Sequence, residues 1–285
     1  MKIVETDIIR VAQQLPASPR ILARLSEVLS DMNSGADDVV DLVKADPGIT
    51  SGLIRLSNSA LFAFTEPSTT LEEAICRVGF REVYRLVGLA STRALFPKQL
   101  ELYGISGDQM WENSIATALA MEALARKNRD LDDRVAYTIG LLRSSGKIIL
   151  SRIAAESEPA ALYPGEEVEP FLGEWEHAQF GMSSDQACAH LMQHWKYPAA
   201  IAATIRHQAT PLETPSAPME AYMLNIAGGI ARQVGGGISG ETLYWRRHPE
   251  KFVHAGISQD DVEEAVGEVK SGLEGLRAAV ASARI

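Results

Sequence analysis

The chain has 285 residues, 46 % of them hydrophobic and 22 % charged, which is the balance of a soluble globular protein with a sizeable core. A net charge of −10 makes it a poor nonspecific partner for nucleic acid or an anionic membrane. No run of about 18 apolar residues is present, and the N-terminal MKIVETDIIRVAQQL carries Glu5 and Asp7 where a secretory leader needs an apolar core, so a cytoplasmic protein is expected.

The first half reads as helices joined by short loops. Val4, Ile8, Ile9 and Val11 form one face of a short amphipathic helix. In LPASPRILARLSEVLSD, Ser18 is the expected cap and Pro19 the first helical residue, with Ile21, Leu22, Leu25, Val28 and Leu29 as the buried stripe. Asp37 and Asp38 open the next helix, where acids suit the dipole. Asp46 and Pro47 start another, with Ile49, Leu53, Ile54 and Leu56 inward. Thr70 and Glu73 form a capping-box pattern ahead of LEEAICRVG. Gly79 then breaks the chain before a helix that buries Phe80, Val83, Leu86, Val87 and Leu89. Nothing here alternates with period two, and no nucleophile, metal-ligand spacing or phosphate loop stands out.

LYGISGDQ is the candidate boundary, giving an N-terminal helical lobe over 1–103 and a second over 104–285. MWENSIATALAMEALARKN is a strong helix. Tyr137 to Leu150 reads as one buried helix interrupted by Arg143, Ser144, Ser145, Gly146 and Lys147, so either it surfaces briefly or it walls a site. SRIAAESEPAALYPGEEVEP is an acidic, exposed excursion. Phe171 to Phe180 reads as a surface helix whose Glu174 and His177 make a weak metal-ligand pair. Ser183 caps the following helix, which carries His190 and His194 at i,i+4 but lacks the HExxH glutamate. Pro198 opens AAIAATIRHQ, and MEAYMLNIAGGIARQVGGG is the last core helix, where Gly228 and Gly229 allow close packing. The tail is a loop and a helix capped near Ser258. Cys76 and Cys188 lie in apolar helical stretches outside any CxxC, as buried free thiols.

Two resemblances arise from these residues. LLRSSGKIIL is similar to the LLHDIGKLIL stretch of the HD superfamily of metal-dependent phosphohydrolases, with Arg143 and Ser144 in place of the metal-binding His-Asp pair. LPASPRILARL, DPGITSGLIRLSNSALF and TTLEEAICRVGFREVYRLV resemble, in order and spacing, the three signature blocks of the HDOD domain, the HD-related output domain of bacterial signalling proteins. Together they cover roughly residues 10 to 270. They imply an all-α, two-lobed protein: a family-specific helical bundle followed by a degenerate HD-like domain. They also imply a role in signalling and regulation, with no sensor or cyclic-dinucleotide module beside it in this chain.

The resemblance further places Asn113, Arg143, Ser144, Ser184 and Gly228 where the HD family has metal ligands, and leaves only His207 of the imidazoles. One imidazole does not hold a catalytic divalent ion, and Arg143 puts a fixed positive charge where a cation should sit. The expectation is a non-catalytic regulatory protein without cofactor, acting through a protein partner, with neither nucleic acid nor membrane as ligand. GLLRSSGKI is not a phosphate loop: its glycine spacing is one too long and Ile148 replaces the hydroxyl residue. Serines 144 and 145 have no obvious base, a remote Ser144–His207 pair aside. Two readings of the vacated pocket stand at this point. Arg143 makes a structural salt bridge that fills it, or Arg143 and Lys147, four apart on one helix face, form a candidate site for a small anionic ligand with Asn113, Ser144, Ser184 and His207. A divergent metal-dependent phosphohydrolase and a nucleotide-sensing module are the alternative functions.

Overall fold

The structure, a computed structural model, describes residues 2–15, 20–31, 34–59, 62, 66–128, 130–156, 162–165, 171–246 and 248–283, with backbone alone for Leu56 and 278–283. The fold is all-α. The expected Ser18 cap and Pro19 helix start lie outside the described residues.

Packing divides the chain into two compact units, one of residues 1–15 and 95–269, the other of 16–94 and 270–285. This partition is drawn by contact, where the division at 103/104 followed the order of the chain.

The 16–94 unit is built from α2 (Arg20–Ser30), α3 (Ala36–Lys44), α4 (Pro47–Ser57), α5 (Leu71–Val78) and α6 (Phe80–Arg93). Local chemistry sets its boundaries. Asp38 accepts from the Gly35 amide (2.7 Å) at the start of α3, and Asp46 accepts from the amides of Gly48 (2.9 Å) and Ile49 (3.0 Å) at the start of α4. The Thr70 hydroxyl accepts from the Glu73 amide (3.2 Å), while the Glu73 carboxylate reaches back to the Thr69 amide (2.9 Å). Gly79 separates α5 from α6 at φ +79°, a conformation that costs other residues about 1 kcal/mol or more. Leu22, Leu25, Val43, Leu53, Ala74, Val83 and Val87 form the core. Phe80 departs from expectation. As the first residue of α6 it is 43 % exposed, because the chain has just left the Gly79 turn and has no preceding helical turn to pack on. Val4 likewise caps α1 (Glu5–Ala12) and is exposed. Cys76 is exposed on α5, and only Cys188 is a buried thiol.

In the other unit a small antiparallel ribbon, β1 (Gln99–Leu100) and β2 (Ile105–Ser106), occupies the stretch read as a plain connection. Ser106 caps α7 (Gly107–Lys127), accepting from the Gln109 amide at 3.2 Å. The expected single helix over Tyr137 to Leu150 is two: α8 (Asp133–Leu142) and α9 (Ser145–Ala155), with Arg143 and Ser144 in the turn between. Its polar cluster does not surface, since Arg143, Ser144, Ser145 and Lys147 are all buried. Next come α10 (Leu172–Phe180), α11 (Ser184–His194), α12 (Ala199–Arg206) and α13 (Met219–Ala231), which ends in a wide turn over Arg232–Gly236. The tail holds two helices, α14 (Pro249–Ala255) and α15 (Gln259–Ala283), rather than a loop and one helix. Gly146 fixes how closely α9 approaches α11. A Cβ there would stand 1.9 Å from the Ser184 carbonyl oxygen and 2.7 Å from the Cys188 nitrogen, so no side chain fits.

Candidate functional site

The turn between α8 and α9 aims Arg143 inward, where α7, α11 and the loop after α13 converge. The guanidinium, 2 % exposed, donates to Glu241 Oε2 (2.8 Å), Asn113 Oδ1 (2.6 Å), Gln208 Oε1 (3.2 Å) and Thr117 Oγ1 (3.4 Å). Its carbon lies 5.1 Å from the Trp245 ring centroid. Lys147, in the first turn of α9, donates to Glu241 Oε1 (2.7 Å) and Ser184 Oγ (3.4 Å). A single carboxylate therefore bridges two buried cations. Burial by itself would raise the Glu241 pKa, but the two positive charges override it and hold the carboxyl at about 2. Burial works against the Lys147 charge, yet Glu241 leads a set of acids that raise its pKa.

The surroundings are as closely tied. Asn113 passes the network to the wide turn by donating to the Gly236 carbonyl (2.6 Å). Gln208 Nε2 donates to the Arg143 carbonyl (3.2 Å) and to Asp185 Oδ1 (2.8 Å). Glu176 accepts from the Tyr103 hydroxyl (2.8 Å) and the Ser184 amide (2.7 Å). Burial raises the pKa of Glu176 and lifts Asp185 to about 7. Above this base opens a cleft of about 920 Å³, bordered by α10, α11 and the start and end of the Gln208 to Thr214 segment.

Of the six residues expected in one pocket, Asn113, Arg143, Lys147 and Ser184 are joined by hydrogen bonds. Arg143 and Lys147 meet through Glu241, from either side of a helix break, rather than as i,i+4 neighbours on one helix. Ser144 is buried with its hydroxyl unpartnered, which removes the Ser144–His207 pair. His207 stands on the rim of the cleft, its pKa lowered by partial burial and by Arg206, and the residue that reaches Arg143 is its neighbour Gln208. Gly228 faces the indole of Trp245, where a Cβ would come within 2.9 Å of the ring. The α10 helix is half core rather than surface: Glu174 and His177 are exposed, but Leu172, Trp175, Glu176 and Phe180 are buried. His190 and His194 are both half-buried; Nδ1 of the first lies 3.9 Å from Glu5 Oε1 without a hydrogen bond, and Nε2 of the second accepts or donates none. Among the described residues no three His, Cys, Asp or Glu side chains stand together as a metal site.

Sequence reasoning missed Glu241, Asp185 and Glu176. The signal for Glu241 was indirect. Two cations at core positions require a buried acid, and Glu241 is a lone acid among Gly240, Leu243, Tyr244 and Trp245.

The family profile of the HDOD domain matches residues 15–211. A curated protein of Treponema pallidum, described only as uncharacterized, is 25 % identical over 245 residues, which is 81 % of this chain and 44 % of its own length. The chain thus spans less than half of that relative. Three solved structures share the fold. An HDOD domain protein of unknown function from Geobacter sulfurreducens is 20 % identical with a TM-score of 0.70, over 96 % of this chain and 97 % of its own. A Marinobacter aquaeolei protein described as a candidate signal transduction protein is 22 % identical with a TM-score of 0.73, over 95 % and 60 %. A Shewanella amazonensis protein described as a candidate phosphohydrolase is 22 % identical with a TM-score of 0.66, over 96 % and 97 %.

Proposed function

This chain belongs to the HDOD domain family, and from that premise we propose that it is a non-catalytic regulatory protein of signal transduction that acts through contact with another protein. The observation that carries this reading is the Arg143–Glu241–Lys147 bridge at the centre of the HD-like unit. The HD resemblance implies a divalent metal there, and the donor set does not suit one. Asn113 is an amide already engaged by Arg143, Ser184 accepts from Lys147, Gly228 has no side chain, and His207 is out on the rim. Glu241 is a good oxygen ligand in kind, but its two oxygens are held by two buried cations, and a metal would have to displace both. No hydrolytic step is therefore derived through a metal at these residues. The Marinobacter protein's description as a candidate signal transduction protein agrees with the regulatory reading, while the Shewanella description marks the competing one.

The direct test is phosphodiesterase turnover of bis(p-nitrophenyl) phosphate by the purified chain with added Mn²⁺ or Fe²⁺. The expected rate equals that of an Arg143→Met, Glu241→Leu control. Turnover above that control, removed by a chelator, contradicts the proposal.

A further inference from the structure

The loop that delivers Glu241 has a second side. Residues Thr242 to Arg246, with α13 and α14, wall a separate cavity of about 680 Å³. That size suits a small organic ligand. Its lining includes Arg232, Arg246, His248 and Lys251 and, among the described residues, no acidic one, the nearby Glu250 standing 3.9 Å from the exposed His248 ring. In a chain with 37 acidic residues against 27 Lys and Arg, this is a local reversal of charge.

Lys251 is the informative residue. It is 8 % exposed, and its ammonium donates to Asn225 Oδ1 (2.7 Å), the Tyr244 carbonyl (3.0 Å) and the Arg246 carbonyl (2.9 Å). Those hydrogen bonds satisfy its protons, but all three acceptors are neutral. Burial lowers its pKa with no carboxylate to offset it. Arg232 and Arg246 are exposed, and neither is ion-paired among the described residues. Trp245 and the half-buried Phe252 give the same cavity two aromatic walls. Three cationic groups without a counter-charge, beside aromatic surface, form a complementary environment for an anion carrying a flat ring.

We propose that this cavity binds a small organic phosphate, with its phosphate groups on Arg232 and Arg246, its planar ring beside Phe252, and Lys251 supplying the buried positive field. The site is distinct from the Arg143 centre and does not depend on the regulatory reading above.

Isothermal titration of the full chain, without Mg²⁺ and at fixed salt, tests this with ATP, GTP, AMP, GMP, inorganic pyrophosphate and adenosine as probes. At least one nucleotide is expected to bind with Kd below about 100 µM. Pyrophosphate should bind at least about tenfold more weakly, and adenosine not measurably. Both substituted arginines are exposed, so an Arg232→Glu, Arg246→Glu variant keeps the fold, checked by its melting temperature, and weakens the nucleotide at least about 100-fold. No nucleotide binding up to about 1 mM overturns the proposal. So does binding that persists in the double variant, which would put the ligand elsewhere. Pyrophosphate binding as tightly as a nucleotide overturns the role given to the aromatic wall.

Discussion

The loop from Gly240 to Arg246 separates two collections of positive charge, each with a buried lysine, that have been treated in opposite ways. On one side Arg143 and Lys147 share Glu241, and Arg143 also donates to Asn113, Gln208 and Thr117. On the other, Lys251 is held by neutral oxygens alone, and Arg232 and Arg246 stand beside it without an acid. The contrast separates two uses of a buried cation. A cation whose charge is already matched is part of the scaffold, and removing its partner should damage stability. A cation held only by dipoles keeps an unmatched field, and that is a property of binding sites.

The largest break in this comparison is expected at the matched centre. Arg143→Ala strands Glu241 beside Lys147 and frees the Asn113 and Gln208 acceptors, and should destabilise by about 3–5 kcal/mol in urea unfolding. Arg143→Met with Glu241→Leu should cost less than the two single losses added together, because one shared interaction is counted in both, although Lys147 then lacks its carboxylate. Additive effects of the two single variants would show that the pair is not coupled. Gly146→Ala comes next, at about 3 kcal/mol, because the new methyl has no room between α9 and α11. A melting temperature equal to that of the wild type would mean that the helices separate easily.

A subtler effect concerns pH. Folded Asp185 titrates at about 7, against an ordinary 3.8 in the unfolded chain. Between those values the folded state binds the extra proton, so this contribution to stability is lost as pH rises from about 4 to about 7. Glu241 works in a separate window with the opposite sign, losing its contribution as pH falls from 4.5 towards 2. Asp185→Asn, which keeps the acceptor for Gln208, should flatten the decline of the melting temperature between pH 4.5 and 7. The part that remains belongs to Glu176, whose pKa is also raised. Parallel wild-type and variant curves in that range would contradict the assignment. The smallest effect is expected on the unmatched side: Arg246→Glu should change stability by less than about 0.5 kcal/mol, since its side chain is exposed and its carbonyl still receives Lys251.

The helices, most of their caps and the family were legible because they rest on local spacing and order. Asp46, Thr70, Ser183 and Ser258 cap where their residue types suggested. The break at Arg143 and Ser144 was not legible, since apolar periodicity continues across it and the turn is held by Gln208, 65 residues away. Asn113, Arg143, Lys147 and Ser184 came from the resemblance, but the acid that joins two of them did not. Glu241 lies 94 residues beyond Lys147, in a loop with no repeating pattern. Composition gave the wrong sign for the Lys251 cavity, because a chain of net charge −10 does not announce a pocket lined by basic residues.

The central claim is that a salt bridge occupies the place where the HD resemblance implies a metal. Elemental analysis of purified, tag-free protein by mass spectrometry tests it most directly. The account predicts iron, manganese and zinc each far below one atom per chain, before and after incubation with the metal and desalting. A stoichiometric transition metal that survives desalting would contradict it and direct attention to His190 and His194.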